Sequence, residues 1–362
     1  MDTLSVRVQV PPSAQINHWT GDCPRMRIVL DVMGGDRPPG DLVHGGVHAA
    51  RRHGLQLLLA GAPDVIREAL EACAASEDAA ITILPASQVV TMDERPVRAV
   101  RTKRNASLVV ALEAIRDGKA DAFVSPGNTG AIVAGALFTL GRLPSIPRPG
   151  LAAILPSTGG REFTVIDVGA TVDCTPEHLL HFALMGATHA QAVLGIDDPS
   201  VALLSNGTER GKGNRTVTRA TDLLERAPFR FVGNVEAHHL LTDRPADVVV
   251  SDGFAGNILL KAIEGGVMAT TTLLRSAIAR QLRCKIGAAL MRPAFDTLRR
   301  ALGYQQRGGA PLLGVRGTVV IAHGRSDATA IAGAIDMARR AVNGRVIERL
   351  GAGLDGWCVD GC

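Results

Sequence analysis

The stretch RIVLDVMGGD, Arg27 to Asp36, sets the reading: an apolar run of strand length, Ile28 to Val32, ends in a turn with paired glycines. Working outward, a helical pattern spans Asp41 to Arg52 and stops at Gly54, and a second apolar run follows at Leu55 to Ala60. That order is a βαβ unit. The same rhythm continues through the runs Ala80 to Leu84, Ala122 to Ser125, Leu151 to Leu155, Phe163 to Val168, Val201 to Ser205 and Ala246 to Ser251, each followed by a polar or Gly-rich turn. Runs that are apolar throughout belong to strands covered on both faces. The sequence therefore predicts an α/β fold: a mostly parallel sheet with helices on both faces and ligands at the carboxyl ends of its strands.

From Ala255 to about Leu302 the pattern turns helical, before Gly317 to Ala322 restores a strand and Ala328 to Ala341 a last helix. The expected organisation is one α/β domain over 26–350, interrupted by a helical excursion over about 255–307. A polar segment with Pro11, Pro12 and Pro24 precedes it, read as a disordered extension over 1–25 with Met26 as an alternative start. A Gly-rich flexible tail is expected over 351–362.

Composition narrows the function. The 362 residues are 46% hydrophobic and 20% charged, which excludes a disordered chain. Aromatic residues are only Phe 8, Trp 2 and Tyr 1, too few for a base-stacking platform, so no nucleic acid is expected. Cys23, Cys73, Cys174, Cys284, Cys358 and Cys362 are scattered without C-x-x-C or Cys/His spacing, so reduced thiols and no metal are expected. No apolar run reaches membrane-span length and no secretion signal opens the chain. The net charge of +4 is unevenly spread: Arg275, Arg280, Arg283, Lys285, Arg292, Arg299, Arg300 and Arg307 face only Asp296 in their segment, which suits an acidic partner or an anionic surface.

Four turns carry the candidate chemistry. In the first, Gly34 and Gly35 let backbone N–H groups approach a ligand between Asp31 and Asp36; a simple tight turn explains them equally well. The second, Ser125-Pro126-Gly127-Asn128-Thr129-Gly130, leads into an apolar helix whose first N–H groups and positive dipole end suit phosphate or an oxyanion. It lacks the Lys-Ser/Thr of a nucleoside-triphosphate loop. The third sets Arg210 and Lys212 among glycines over 205–214, either a cationic anion-holder or a solvated turn. The fourth, Ser251 to Asn257, opens the long helix and places Asn257 and Lys261 on one face by their i, i+4 spacing. Lys103 stands in a basic cluster with Arg98, Arg101 and Arg104, and His323-Gly324-Arg325-Ser326 closes the last strand. No Gly-x-Ser-x-Gly elbow suggests a covalent acyl-enzyme.

In register, Asp31-Val-Met-Gly-Gly-Asp36, Ser125-Pro-Gly-Asn-Thr-Gly-Ala131, Asp167-Val-Gly-Ala170 with Asp173, Gly211-Lys-Gly-Asn214, Gly233-Asn-Val-Glu236, Ser251-Asp-Gly-Phe254 with Gly256-Asn257, and Pro311-Leu-Leu-Gly314 resemble the motif set of the acyl-carrier-protein:phosphate acyltransferase family, PlsX, from about Met26 to Ala341. The resemblance implies a Rossmann-like fold of the isopropylmalate dehydrogenase and phosphate acetyltransferase kind, with no metal, nucleotide or other cofactor. It implies attack of inorganic phosphate on the thioester of a fatty acyl chain carried by acyl carrier protein, giving an acyl phosphate for phospholipid synthesis. It also implies a homodimer in the cytoplasm that rests on the inner face of the cell membrane. Two positions depart from the family: Arg37 stands where it has His, and Thr208 where it has an acidic residue.

On this reading Lys212, with Lys103 or Lys261, balances phosphate charge. Ser125, Gly127, Asn128, Thr129 and Gly130 receive phosphate or oxyanion together with Gly34, Gly35, Asp36 and Asn234, and Asn257 orients the thioester. Leu274, Ile278, Leu282 and Ile286 recur every four residues beside Arg275, Arg283 and Lys285, with Leu290 in an apolar tip. That stripe serves ordinary core or dimer packing, or contact with carrier protein or anionic lipid. The competing readings are an NAD-dependent dehydrogenase of related fold and a non-catalytic membrane-associated scaffold. The first lacks a G-x-G-x-x-G fingerprint, and the second leaves the polar strand-end loops without purpose.

Overall fold

The computed structural model describes residues 25–302 and 308–355. Its strands are β1 (Arg27–Asp31), β2 (Gln56–Gly61), β3 (Ile81–Pro85), β4 (Ala122–Ser125), β5 (Gly150–Pro156), β6 (Glu162–Ile166), β7 (Val201–Ser205), β8 (Phe231–Glu236), β9 (Val248–Val250), β10 (Ala310–Leu313) and β11 (Thr318–Ile321). They form one sheet in the order β3-β2-β1-β4-β11-β10-β5-β6-β9-β7-β8. The helices are α1 (Pro39–His53), α2 (Pro63–Ala72), α3 (Pro96–Thr102), α4 (Ser107–Arg116), α5 (Thr129–Thr139), α6 (Pro176–His189), α7 (Arg215–Leu224), α8 (Gly253–Ala279), α9 (Leu282–Leu290), α10 (Arg292–Leu302), α11 (Ala328–Asn343) and α12 (Val346–Asp355).

The anticipated α/β architecture is present. Strand residues alternate between two cores: Ile28 and Leu30 face α1, α2, α6, α7, α11 and α12, while Val29 faces α3, α4 and α5, with Leu259, Leu260 and Ile263 of α8 packed on the same side. Helices thus cover both faces. The 351–355 segment, where a flexible tail is expected, instead continues α12, because its Val346 and Leu350 are buried against the first core. The proposed extension lies outside the described residues except for Arg25, as do Arg307, Cys23, Cys358 and Cys362.

The sheet is not unidirectional. β3, β2, β1, β4 and β11 run parallel, and so do β6, β9, β7 and β8. Between the blocks, β10 is antiparallel to β11 and to β5, and β5 to β6. The two parallel blocks therefore point in opposite directions, and their carboxyl ends fall on opposite edges. The loops read as one set of ligand-bearing turns are split into two sets. The reversal comes from the tight β5–β6 connection through Ser157 to Arg161, with Gly160 at φ 75°.

α8 spans this division. It starts after β9 at the second block's edge, with Asp252 as N-cap accepting from Ala255 N at 2.7 Å. Its first turn is pressed against the loop after β6: a Cβ on Gly253 would lie 2.6 Å from Thr171 O and 2.7 Å from Asp167 Oδ2, and one on Gly256 would overlap the Asp167 carbonyl oxygen. Only glycine permits that approach. Gly256→Ala is expected to lower stability by about 1–3 kcal/mol, the usual cost of overpacking, measured as a lower denaturant midpoint, whereas Gly265→Ala, whose added carbon meets nothing within 4 Å, leaves it unchanged or raised.

Candidate active site

Three neighbouring strand ends of the first block are stitched together. Asp31, fully buried at the end of β1, accepts from Ser125 Oγ at 2.8 Å and from Met33 N at 3.1 Å, and Ser125 Oγ accepts from Gly127 N at 3.0 Å. A Cβ on Gly34 would stand 2.9 Å from Gly127 Cα, so the two Gly turns touch backbone to backbone. Asp36 N donates to Gly324 O at 2.8 Å, which ties in the turn after β11. Burial raises the Asp31 carboxyl above its ordinary value, against hydrogen bonds that lower it.

Asn128 caps α5 through Oδ1, which accepts from Ala131 N at 3.1 Å, and its Nδ2 donates to Met92 O at 3.0 Å. Lys103 Nζ lies 2.5 Å from Glu94 Oε1 and donates to Val89 O at 2.7 Å. Both side chains assigned to substrate contact by sequence are therefore committed to fastening the 88–95 loop beside α5. The Lys103 bond holds the Glu94 carboxyl below its usual range. Ser125 and Gly127 are likewise occupied internally, while the N–H groups of Thr129 and Gly130 at the start of α5 have no hydrogen bond to described residues.

These free amides border a cleft of about 320 Å³. Thr129, His323 and Ser326 come to it from the first block, Gly169 from the second, and Asn257 and Lys261 from α8, over an apolar floor of β5 and β11 that includes Leu151, Ala153 and Ile321. Lys261 Nζ is 2.9 Å from Glu264 Oε2. His323 Nδ1 accepts from Arg325 N at 3.1 Å, which leaves the proton of the neutral ring on Nε2. His323 and Glu264 are cleft residues the sequence assigned no role; the strand-end position of His323 was the available signal. Gly34, Gly35 and Asp36 support the cleft from beneath its neighbouring turns without lining it.

Lys212 and Asn234 are at the other edge. The 206–214 loop is closed by Asn206 Oδ1 accepting from Gly213 N at 2.9 Å, and Asn234 Nδ2 donates to Glu209 O at 3.1 Å. Arg210 turns away to Asp222 of α7 and to Glu225 at its C-cap, at 3.1 and 2.8 Å. Lys212 is exposed, has no ion pair with a described residue, and is not in the cleft wall.

Beneath α8, Asp167 is fully buried and accepts from Leu151 N, Gly169 N and Ala170 N, each at 2.9 Å, and from Thr171 N at 2.6 Å. Burial raises its carboxyl and the four amides oppose that rise. Nearby Cys174 donates to Thr171 O at 3.3 Å, and burial pushes its thiol up to about 12, which removes it as a thiolate nucleophile.

Residues 26–349 match the family described as fatty acid synthesis protein. The chain belongs to this family. The phosphate acyltransferase of Heliobacterium modesticaldum is 44% identical over 325 residues, covering 90% of this chain and 96% of its own. That of Geobacillus thermodenitrificans is 44% identical over 331 residues, covering 91% and 99%. The resemblance seen in the motifs thus extends over the chain. Among solved structures, a phosphotransacetylase from Streptococcus pyogenes superposes with a TM-score of 0.59 at 18% identity, covering 90% of this chain and 94% of its own. A 4-hydroxythreonine-4-phosphate dehydrogenase from Klebsiella pneumoniae gives 0.53 at 13% identity, covering 89% and 100%. At those identities the likeness is one of fold, shared by transferases and dehydrogenases alike.

Asp31 supplies a pH test. A carboxyl whose folded-state value is raised binds its proton more tightly in the folded chain, so its contribution to stability falls as pH rises from the unfolded value of 3.8 through the raised folded value. Asp31→Asn, which retains an acceptor for Met33 N, is expected to gain melting temperature relative to the wild type as pH rises over that window. Parallel pH dependences for the two proteins would remove Asp31 as the cause.

Proposed function

We propose that the chain transfers a fatty acyl group from the thioester of acyl carrier protein to inorganic phosphate, yielding acyl phosphate and free carrier thiol for phospholipid synthesis. The 44% identity to phosphate acyltransferases over 90% of the chain carries this reading. The cleft supports it: amides and a lysine for an anion stand above an apolar floor for an alkyl chain. A phosphate oxygen attacks the carbonyl carbon, the oxyanion collapses, the C–S bond breaks, and the thiolate leaves with the electron pair and takes up a proton. Phosphate is already nucleophilic, so the protein positions it and offsets charge.

In this assignment Thr129 and Gly130 N–H groups with Lys261 receive the phosphate, Asn257 orients the thioester, and His323 donates to an anionic oxygen through Nε2. Lys212 brings its cation from the opposite edge to the part of the substrate that extends beyond the cleft. Asn128 and Lys103 act as positioning residues through the 88–95 loop. With palmitoyl-acyl carrier protein, hydroxamate-trapped acyl phosphate and carrier thiol are expected in equal amounts and in proportion to phosphate; folded protein that yields neither overturns the reading. Lys261→Ala and Lys212→Ala are each expected to slow turnover about 10²–10³-fold, and Asn128→Ala to cost about 1 kcal/mol of stability through the lost cap as well as rate.

The chain is further assigned to the cytoplasm, as a homodimer resting on the inner face of the membrane. Supporting the membrane contact, α8 and α9 expose Leu273 (70%), Leu282 (74%), Ile286 (57%) and Leu290 (80%) beside Arg275, Arg283 and Lys285. No helix among the described residues is long and apolar enough to cross a membrane. In vesicle flotation, anionic lipid is expected to carry the protein, with weaker binding in high salt and loss in Ile286→Glu or Leu290→Glu. Flotation insensitive to lipid charge and to both substitutions sinks the membrane assignment.

A further inference from the structure

The exit of β8 gathers side chains that the acyl-transfer reading does not use. Glu236 ends the strand and His238 and His239 occupy the 3-10 turn Ala237–His239; one ligand atom from each of the three lies within 4.8 Å of the others. The two imidazole rings have centroids 3.9 Å apart and are tilted by 39°. Asp243, one turn on, holds its Oδ2 2.5 Å from His239 Nδ1. A ring that donates from Nδ1 to a carboxylate keeps its Nε2 lone pair for another partner, and metal-bound histidines are commonly oriented in this way.

We propose that Glu236, His238 and His239 bind a divalent transition-metal ion of the zinc class, with Asp243 as the group that orients His239. Two imidazoles and a carboxylate form a borderline donor set of the kind zinc takes, with a fourth position left for water or an anion. Bond lengths of about 2.0–2.1 Å require donor atoms about 3.4 Å apart, so from separations of at most 4.8 Å the cluster must contract by up to about 1.4 Å. His238 is exposed and Glu236 and His239 are only half-buried, so side-chain rotation suffices. The ion would sit beside the loop of Lys212, since Glu236 pairs with Ser205 at the end of β7 and Asn234 donates to carbonyls of that loop. Sequence spacing concealed the cluster because its donors are nearly contiguous, Glu-x-His-His, and converge only where the strand turns into the 3-10 helix.

The test is titration of the full chain with zinc alone, in competition with a chromophoric chelator, and of its cobalt adduct by absorption. One ion per chain is expected at this site, bound at least 100-fold more weakly by His238→Ala and His239→Ala and about 10–100-fold more weakly by Asp243→Asn, the range for losing an orienting partner. Zinc is expected to raise the melting temperature of the wild type and not that of the histidine variants. Glu236→Gln, nearly isosteric, provides the same comparison should a histidine variant misfold. Wild-type affinity in these variants overturns the site, as does a cobalt spectrum dominated by thiolate charge transfer, which would put the ion on cysteine.

Discussion

Asp167 is a buried carboxylate with four backbone N–H donors and, among the described residues, no cation as a hydrogen-bonding partner. Removing such a group from water costs several kcal/mol unless its lone pairs are satisfied, and here the 167–171 turn is wrapped around it to do so. The turn's shape then decides what can lie above it. Gly253 and Gly256 of α8 fit there because they have no side chain, and the direction of α8 follows from that seat. Asp31 plays a related part across the sheet, where its bonds to Ser125 and Met33 join two turns into one surface. Each half of the cleft thus rests on a carboxylate that does not face the cleft.

Much of the fold was legible because the strands are apolar throughout and separated by Gly-rich turns, so that length and punctuation alone mark β1, β2, β4 and β7. Strand direction was not legible. The hairpin between β5 and β6 turns on Ser157-Thr-Gly-Gly-Arg161, a short signal that looks like any other strand-end turn, yet it reverses half the sheet. β8 and β10 were visible only as motifs, since Gly233 and Pro311 interrupt the pattern that marks a strand.

The site was legible in residue type and less so in role. Asn128, Lys103 and Ser125 have the chemistry of anion ligands, but burial and neighbours use that chemistry inside the protein. A sequence shows which groups are present at a turn, not which lone pair has already been taken. Glu264 shows the converse, since nothing local distinguishes it, and His323 was marked only by its place at a strand end; both reach the cleft because α8 and the β11 turn meet over β5.

α8 is a rod of 27 residues, about 40 Å at the helical rise, seated at its first turn and exposed over its outer half. Lys261 stands roughly 12 Å along it, between Leu260 and Ile263, which pack on the second core, so the cleft residue sits on the clamped part of the rod. The helix is a cantilever: its inner third is fixed to the sheet and its outer half projects beyond the clamp, so whatever the outer helices rest on is met well away from the cleft.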